Sequence, residues 1–125
     1  ANNKVLYNGF EPLEGTISPG AGDAAPPIAG DTISPEKWRY LQDFIALCKT
    51  HNIQLYIVVS PIYQPVPQMA ILEEALDAFS GDVQFLNFAN ETTISAHPEL
   101  FKDFYHLNGK GALQYTQLLV KNISQ

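Results

Sequence analysis

The sequence predicts an α/β protein with a parallel sheet, and three observations carry that expectation. Two short runs, "IQLYIVVS" and "VQFLNF", are nearly continuous in apolar character, as strands covered on both faces are. Segments with apolar residues at helical spacing precede, separate and follow them. The resulting order of helix, strand, helix, strand and helix is that of a layered fold whose parallel strands are joined by helical crossovers. Two such strands make a smaller sheet than is usual, so the chain reads as part of a sheet whose other strands lie elsewhere.

At the amino end, "KVLYNGFEPLEG" has an apolar run over 5–7 followed by Asn8-Gly9, a hairpin signal. Residues 15–34 show no period and hold Pro19, Gly20, Gly22, Pro26, Pro27 and Gly30, which predicts either functional cover or, the favoured reading, a mobile segment. Order resumes with Ser34 as N-cap and Pro35 at the first helical position, where its missing N–H costs nothing. Trp38, Leu41, Phe44, Ile45 and Cys48 form one apolar stripe, and His51 and Asn52 end the helix. The first strand occupies 53–60, and "PIYQPVP" is a proline-broken turn.

A second helix is predicted over "QMAILEEALDAFSG", with Met69, Leu72, Leu76 and Phe79 on its core side and Glu73, Glu74 and Asp77 opposite. The second strand runs over 83–88. A polar loop, a short "PELFKD" turn and a last helix from about 108 to 123 complete the chain. The expected division is an irregular, Pro/Gly-rich segment over 1–33 and an α/β portion over 34–125.

A length of 125 residues suits one domain with a real core. The formal net charge of −6, with no Lys/Arg cluster, speaks against nucleic acid as a partner, because a phosphate backbone would be repelled. The longest apolar run, 55–59, is too short to cross a bilayer. Cys48 is the single cysteine, so no intrachain disulfide or paired-thiol zinc site can form, and it is expected as a small buried hydrophobe. His51, His97 and His106 lack the close spacing of metal ligands, so a metal enzyme is a distant third reading, although Asp103 with His106 could bind a cation weakly; no cofactor is expected. The first residue is Ala1 rather than Met, which fits a processed export signal, an engineered boundary or a clipped chain. "NET" at Asn90 and "NIS" at Asn122 match a glycosylation pattern short enough to recur by chance.

The chemistry-bearing stretch is "DFYHLNGKG" over 103–111. A bare Asp-x-x-His is usually a polar turn. Here it sits between the last strand and the last helix, at the carboxyl edge of the sheet, where ligands of open α/β folds bind. A carboxylate at 103 accepting from His106 Nδ1–H would fix the imidazole tautomer and leave Nε2 as a base. Leu107 would enter the core, Asn108 would cap the last helix, and Gly111 would allow close helix packing.

"DFYHLNGKGALQYTQLL" resembles the carboxyl-terminal block of the SGNH (GDSL-type) hydrolases, whose Asp-x-x-His-Leu-Asn-x-x-Gly segment supplies the acid and base of a Ser-His-Asp triad. "LQDFIALCKTHNIQLYIVVSPIY" is similar to the preceding region of bacterial extracytoplasmic SGNH-like esterases and acyltransferases. The resemblance covers about 34–123. It implies a three-layer α/β/α, flavodoxin-like fold, incomplete in this chain, with Asp103 as orienting acid and His106 as general base. It also implies a small acyl ester, such as O-acetylated carbohydrate, as substrate, and a secreted or periplasmic location.

The family's Gly-Asp-Ser-like nucleophile block is missing, as are its Gly-x-Asn-Asp block and any Gly-x-Ser-x-Gly elbow. "VVSPIY" stands where the Gly-x-Asn-Asp block is expected, so Ser60 is a site-lining candidate beside Asn108 rather than the expected nucleophile. Two readings follow: the carboxyl-terminal portion of an SGNH-like enzyme whose serine lies outside this chain, or a non-catalytic interaction module on the same scaffold. The partner expected is the missing amino-terminal portion of the same protein or, in the second reading, further copies of the chain completing the sheet.

Overall fold

The structure is a computed structural model and describes residues 11–18, 20, 32–63 and 70–123. The expected hairpin at Asn8-Gly9, Met69 and most of the Pro/Gly-rich stretch lie outside them. The chain divides into two units: a sheet unit of Pro26–Ser60 and Val66–Ala89, and a loop-and-helix unit of Ala1–Ala25, Pro61–Pro65 and Asn90–Gln125. Together they make a mixed α/β protein.

The sheet unit opens with α1, Pro35–Thr50, where the Ser34 hydroxyl accepts from the Lys37 N–H at a long 3.5 Å. The helix ends because Asn52 takes a left-handed φ of 53°, which asparagine tolerates. The Ile53 N–H then reaches back to the Cys48 carbonyl at 2.9 Å, and the Asn52 N–H to that of Lys49 at 3.1 Å. This pair of bonds satisfies carbonyls that the helix end would otherwise strand.

Strand β1, Leu55–Val59, pairs in parallel with β2, Val83–Asn87, in the register Leu55 to Val83 through Val59 to Asn87. Helix α2, Ala70–Asp77, makes the crossover that a parallel pair requires. Ile45, Leu76 and Val83 form the buried centre, with Trp38, Leu41, Leu55, Ile57, Leu72, Phe79 and Phe85 packed around them. Residues of α1 and α2 therefore pack on the one sheet face that Leu55, Ile57, Val83 and Phe85 share. The Trp38 ring meets Phe79 edge-on, centroids 5.9 Å apart. Lys49 and Asp82, 2.9 Å apart, tie the end of α1 to the turn before β2.

Two expectations need correction here. Phe44 is not part of the core stripe: half its surface is exposed, while Ile45 and Cys48 beside it are buried. The strands are also less enclosed than their apolar runs suggest, since every residue of β1 is only half-buried.

In the loop-and-helix unit, Asn90 leads into a short helix α3, Thr92–Ser95, where the sequence predicts a polar loop. The Glu91 carboxylate caps it, accepting from the Thr93 N–H at 3.2 Å and hydroxyl at 2.7 Å. A 3-10 turn, Pro98–Leu100, follows, and the last helix, α4, spans Gly109–Ile123. Ile94, Leu100 and Phe101 are the buried centre of this unit, against Ile17, Tyr63, Leu107, Tyr115 and Leu118. Residues 15–18, at the beginning of the Pro/Gly-rich stretch, are hydrogen-bonded into this unit. The Ile17 N–H donates to the Phe101 carbonyl at 2.8 Å, and the Gly15 carbonyl accepts from Asn108 Nδ2 at 3.0 Å.

Candidate acid–base site

The site is built by a tight loop over 102–106. Phe101 and Leu107 form an antiparallel bridge at its neck, both packed in the unit's core, and the Lys102 N–H closes onto the His106 carbonyl at 2.8 Å. A buried Phe101 and a half-buried Leu107 anchor the loop, and Asp103, Tyr105 and His106 between them are exposed. Asp103 organises that stretch. Its Oδ1 accepts from the Tyr105 N–H and the His106 N–H, both at 2.9 Å, the local side-chain-to-backbone turn that aspartate favours.

The same carboxylate receives the imidazole. His106 Nδ1 lies 2.9 Å from both Oδ1 and Oδ2 of Asp103. A carboxylate can only accept, so the proton sits on Nδ1 and the neutral ring presents Nε2 as its lone-pair nitrogen. Nε2 makes no hydrogen bond among the described residues, and 65% of the side chain is exposed, so it is open to a solute. Burial pushes the Asp103 carboxyl up. The Tyr105 amide, the His106 ring and amide and the imidazole charge together outweigh burial and hold it below the usual carboxylate range. Such a carboxylate stays ionised and can steer the ring and stabilise its protonated form.

Asn108 stands two residues on and is almost fully buried, at 5% exposure. Its Oδ1 accepts from the Lys110 and Gly111 N–H groups, each at 3.1 Å, capping α4. Its Nδ2 donates to the Glu99 carbonyl at 2.9 Å and to the Gly15 carbonyl at 3.0 Å. Its backbone N–H donates to the Leu100 carbonyl at 3.0 Å. A Cβ at Gly111 would overlap that same Leu100 carbonyl oxygen, so α4 approaches the 3-10 turn at a distance only glycine permits.

The structure thus brings Asp103, His106 and Asn108 together in one unit. Asn108 is a buried hydrogen-bonding junction. Ser60 belongs to the other unit, exposed just past the carboxyl end of β1. Tyr63 packs its ring 5.6 Å from Phe101 and 5.8 Å from Phe104, and its N–H holds the Phe104 carbonyl at 2.9 Å, supporting the loop from beneath. The sequence reading had not singled out Tyr63, and an isolated tyrosine in a proline-rich turn gave no local signal for it.

A second histidine–carboxylate contact, His97 Nδ1 to Glu99 Oε1 at 3.0 Å, also escaped the sequence reading. Among the described residues no group of three or more His, Cys, Asp or Glu side chains converges as metal ligands would, and no helix is long and apolar enough to cross a membrane. An open depression of about 340 Å³ lies at the amino ends of β1 and β2, lined by Lys49, Asn52, Gln54, Ser80 and Gln84. Ligands of open α/β sheets bind at the opposite, carboxyl ends, so this hollow carries no functional argument. No family model, curated protein or solved structure matches the chain.

Proposed function

We propose that this chain is the carboxyl-terminal portion of an SGNH-like serine esterase or acyltransferase with a three-layer, flavodoxin-like α/β/α fold. Asp103 is the orienting acid, His106 the general base, and the nucleophilic serine comes from outside these 125 residues. The observation that carries the reading is the Asp103 carboxylate, fixed by two backbone N–H groups and set against His106 Nδ1 so that Nε2 faces outward. In the intact enzyme Nε2 takes the proton of a serine hydroxyl as its oxygen attacks an ester carbonyl, and Asp103 stabilises the imidazolium that results. The substrate class is a small acyl ester, O-acetylated carbohydrate among them, and the location is secreted or periplasmic.

Hydrolysis of p-nitrophenyl acetate tests this. The 125-residue chain alone is expected to show no serine-dependent turnover, and a longer polypeptide carrying it is expected to show turnover that His106→Ala removes. Activity of the short chain lost on both His106→Ala and Ser60→Ala would instead make Ser60 the nucleophile.

A second reading is favoured by one observation: the sheet has two strands, each with an unpaired edge among the described residues, and α1 exposes Tyr40, Phe44 and Leu47. On that reading the chain is a non-catalytic module that completes its sheet by pairing with further copies. Light scattering decides it, because a strict monomer speaks against the idea.

A further inference from the structure

We infer that Asn108 is a positioning residue for the His106 base, and that residues 11–18 are a strap it clamps against the Asp103–His106 loop; the role given to His106 rests on the esterase reading above. Three backbone groups of the strap are engaged. The Gly109 N–H donates to the Leu13 carbonyl at 2.9 Å, Asn108 Nδ2 to the Gly15 carbonyl at 3.0 Å, and the Ile17 N–H to the Phe101 carbonyl at 2.8 Å. Phe101 is the residue at the neck of the loop, bridged to Leu107. The strap therefore joins the loop at its neck and at the start of α4, on both sides of His106 in sequence.

Asn108 does what a plain cap does not. Serine or aspartate would satisfy the Lys110 and Gly111 N–H groups equally well. Only a side chain with an amide donor can also hold the Gly15 and Glu99 carbonyls, and the carboxamide is buried, so the loss of that donor is not made good by water. The strap in turn is shaped for the contact: Gly15 has a φ of +96°, a conformation that side chains other than glycine's rarely adopt. Because the carboxylate that receives His106 hangs from the same five-residue loop, freeing the strap loosens the loop neck and lets the imidazole leave Asp103.

The test is nuclear magnetic resonance of the full chain as wild type, Asn108→Asp and Gly15→Ala. Asn108→Asp keeps the cap and removes the donor; Gly15→Ala disturbs the strap and leaves Asn108 untouched. In both variants exchange of the Ile17 and Gly109 amides is expected to rise at least about fivefold, the scale of one lost hydrogen bond. The His106 ring nitrogens are expected to lose the pure Nδ1–H tautomer signature, while the Ala112 amide in α4 stays protected. If Asn108→Asp does not fold, Gly15→Ala decides alone. A variant with a freed strap and an unchanged His106 tautomer overturns the inference, as does unchanged exchange at Ile17 and Gly109. Neither result depends on esterase activity, so this inference and the esterase reading fail separately.

Discussion

Among the described residues there are two histidine–carboxylate pairs close together in sequence, and they are built differently. Glu99 touches His97 Nδ1 through one oxygen, and both side chains are at least half exposed. Its carboxyl is held low first by its own backbone N–H and then by His97. Asp103 meets His106 with both oxygens, after two backbone amides of the loop have already fixed one of them. The first is an exposed surface contact of the kind that contributes little. The second is an arrangement in which the acceptor is immobile before the imidazole arrives. A histidine becomes a directed base when its partner is held by something other than the histidine.

The largest expected difference between the pairs is kinetic. On the proposed esterase reading, His106→Ala in a longer polypeptide carrying this chain is expected to lower kcat by about 10⁴–10⁶-fold, the scale of a lost triad member, whereas His97→Ala changes it by less than about twofold. Equal losses would erase the distinction. Next in size is the support of the loop. Gly111→Ala forces a Cβ into the Leu100 carbonyl and the Leu107 side chain, and is expected to destabilise the fold by about 2–3 kcal/mol, read from thermal or urea unfolding. No loss of stability would mean α4 can retreat from the 3-10 turn at no cost.

A smaller effect separates the two carboxylates in acid. Asp103 has a folded-state pKa below its ordinary value, so its contribution is present above about pH 4 and is lost as pH falls through the lowered folded value. Asp103→Asn should therefore be less stable than wild type at neutral pH, by under about 1 kcal/mol because the pair is half exposed, with the two curves converging in strong acid. A gap that widens on acidification would reverse the sign of the argument. Smallest of all, Glu99→Gln should leave the thermal midpoint within measurement scatter at neutral pH.

Local chemistry made much of the fold readable. Ser34-Pro35 and His51-Asn52 bracket α1 because capping is decided by adjacent residues, the first strand run is recognisable from its β-branched residues, and the second from its short apolar run after a turn. Asp103 and His106 were legible as a pair for the same reason, being one turn apart. Phe44 was misplaced because a helix seated on two strands buries a narrow arc. At about 100° per residue, Trp38, Leu41, Ile45 and Cys48 span about 80°, and Phe44 falls about 40° beyond them. Helix α3 was missed because one four-residue turn shows no period, even though Ile94 in it is fully buried. The strap was illegible for a deeper reason: Gly15 meets Asn108 across 93 positions, and nothing near Gly15 announces a partner that far along the chain.

Cys48 offers a direct way to time motion in the sheet unit. Its sulfur sits on the packed side of α1, at 5% exposure, and it is the chain's single thiol. A thiol reagent can reach it only in moments when the packing around Cys48 opens, so under conditions where reaction outpaces reclosing, the labelling rate measures how often that opening occurs. The protein thus contains its own clock for opening, in the unit that does not carry the Asp103–His106 pair.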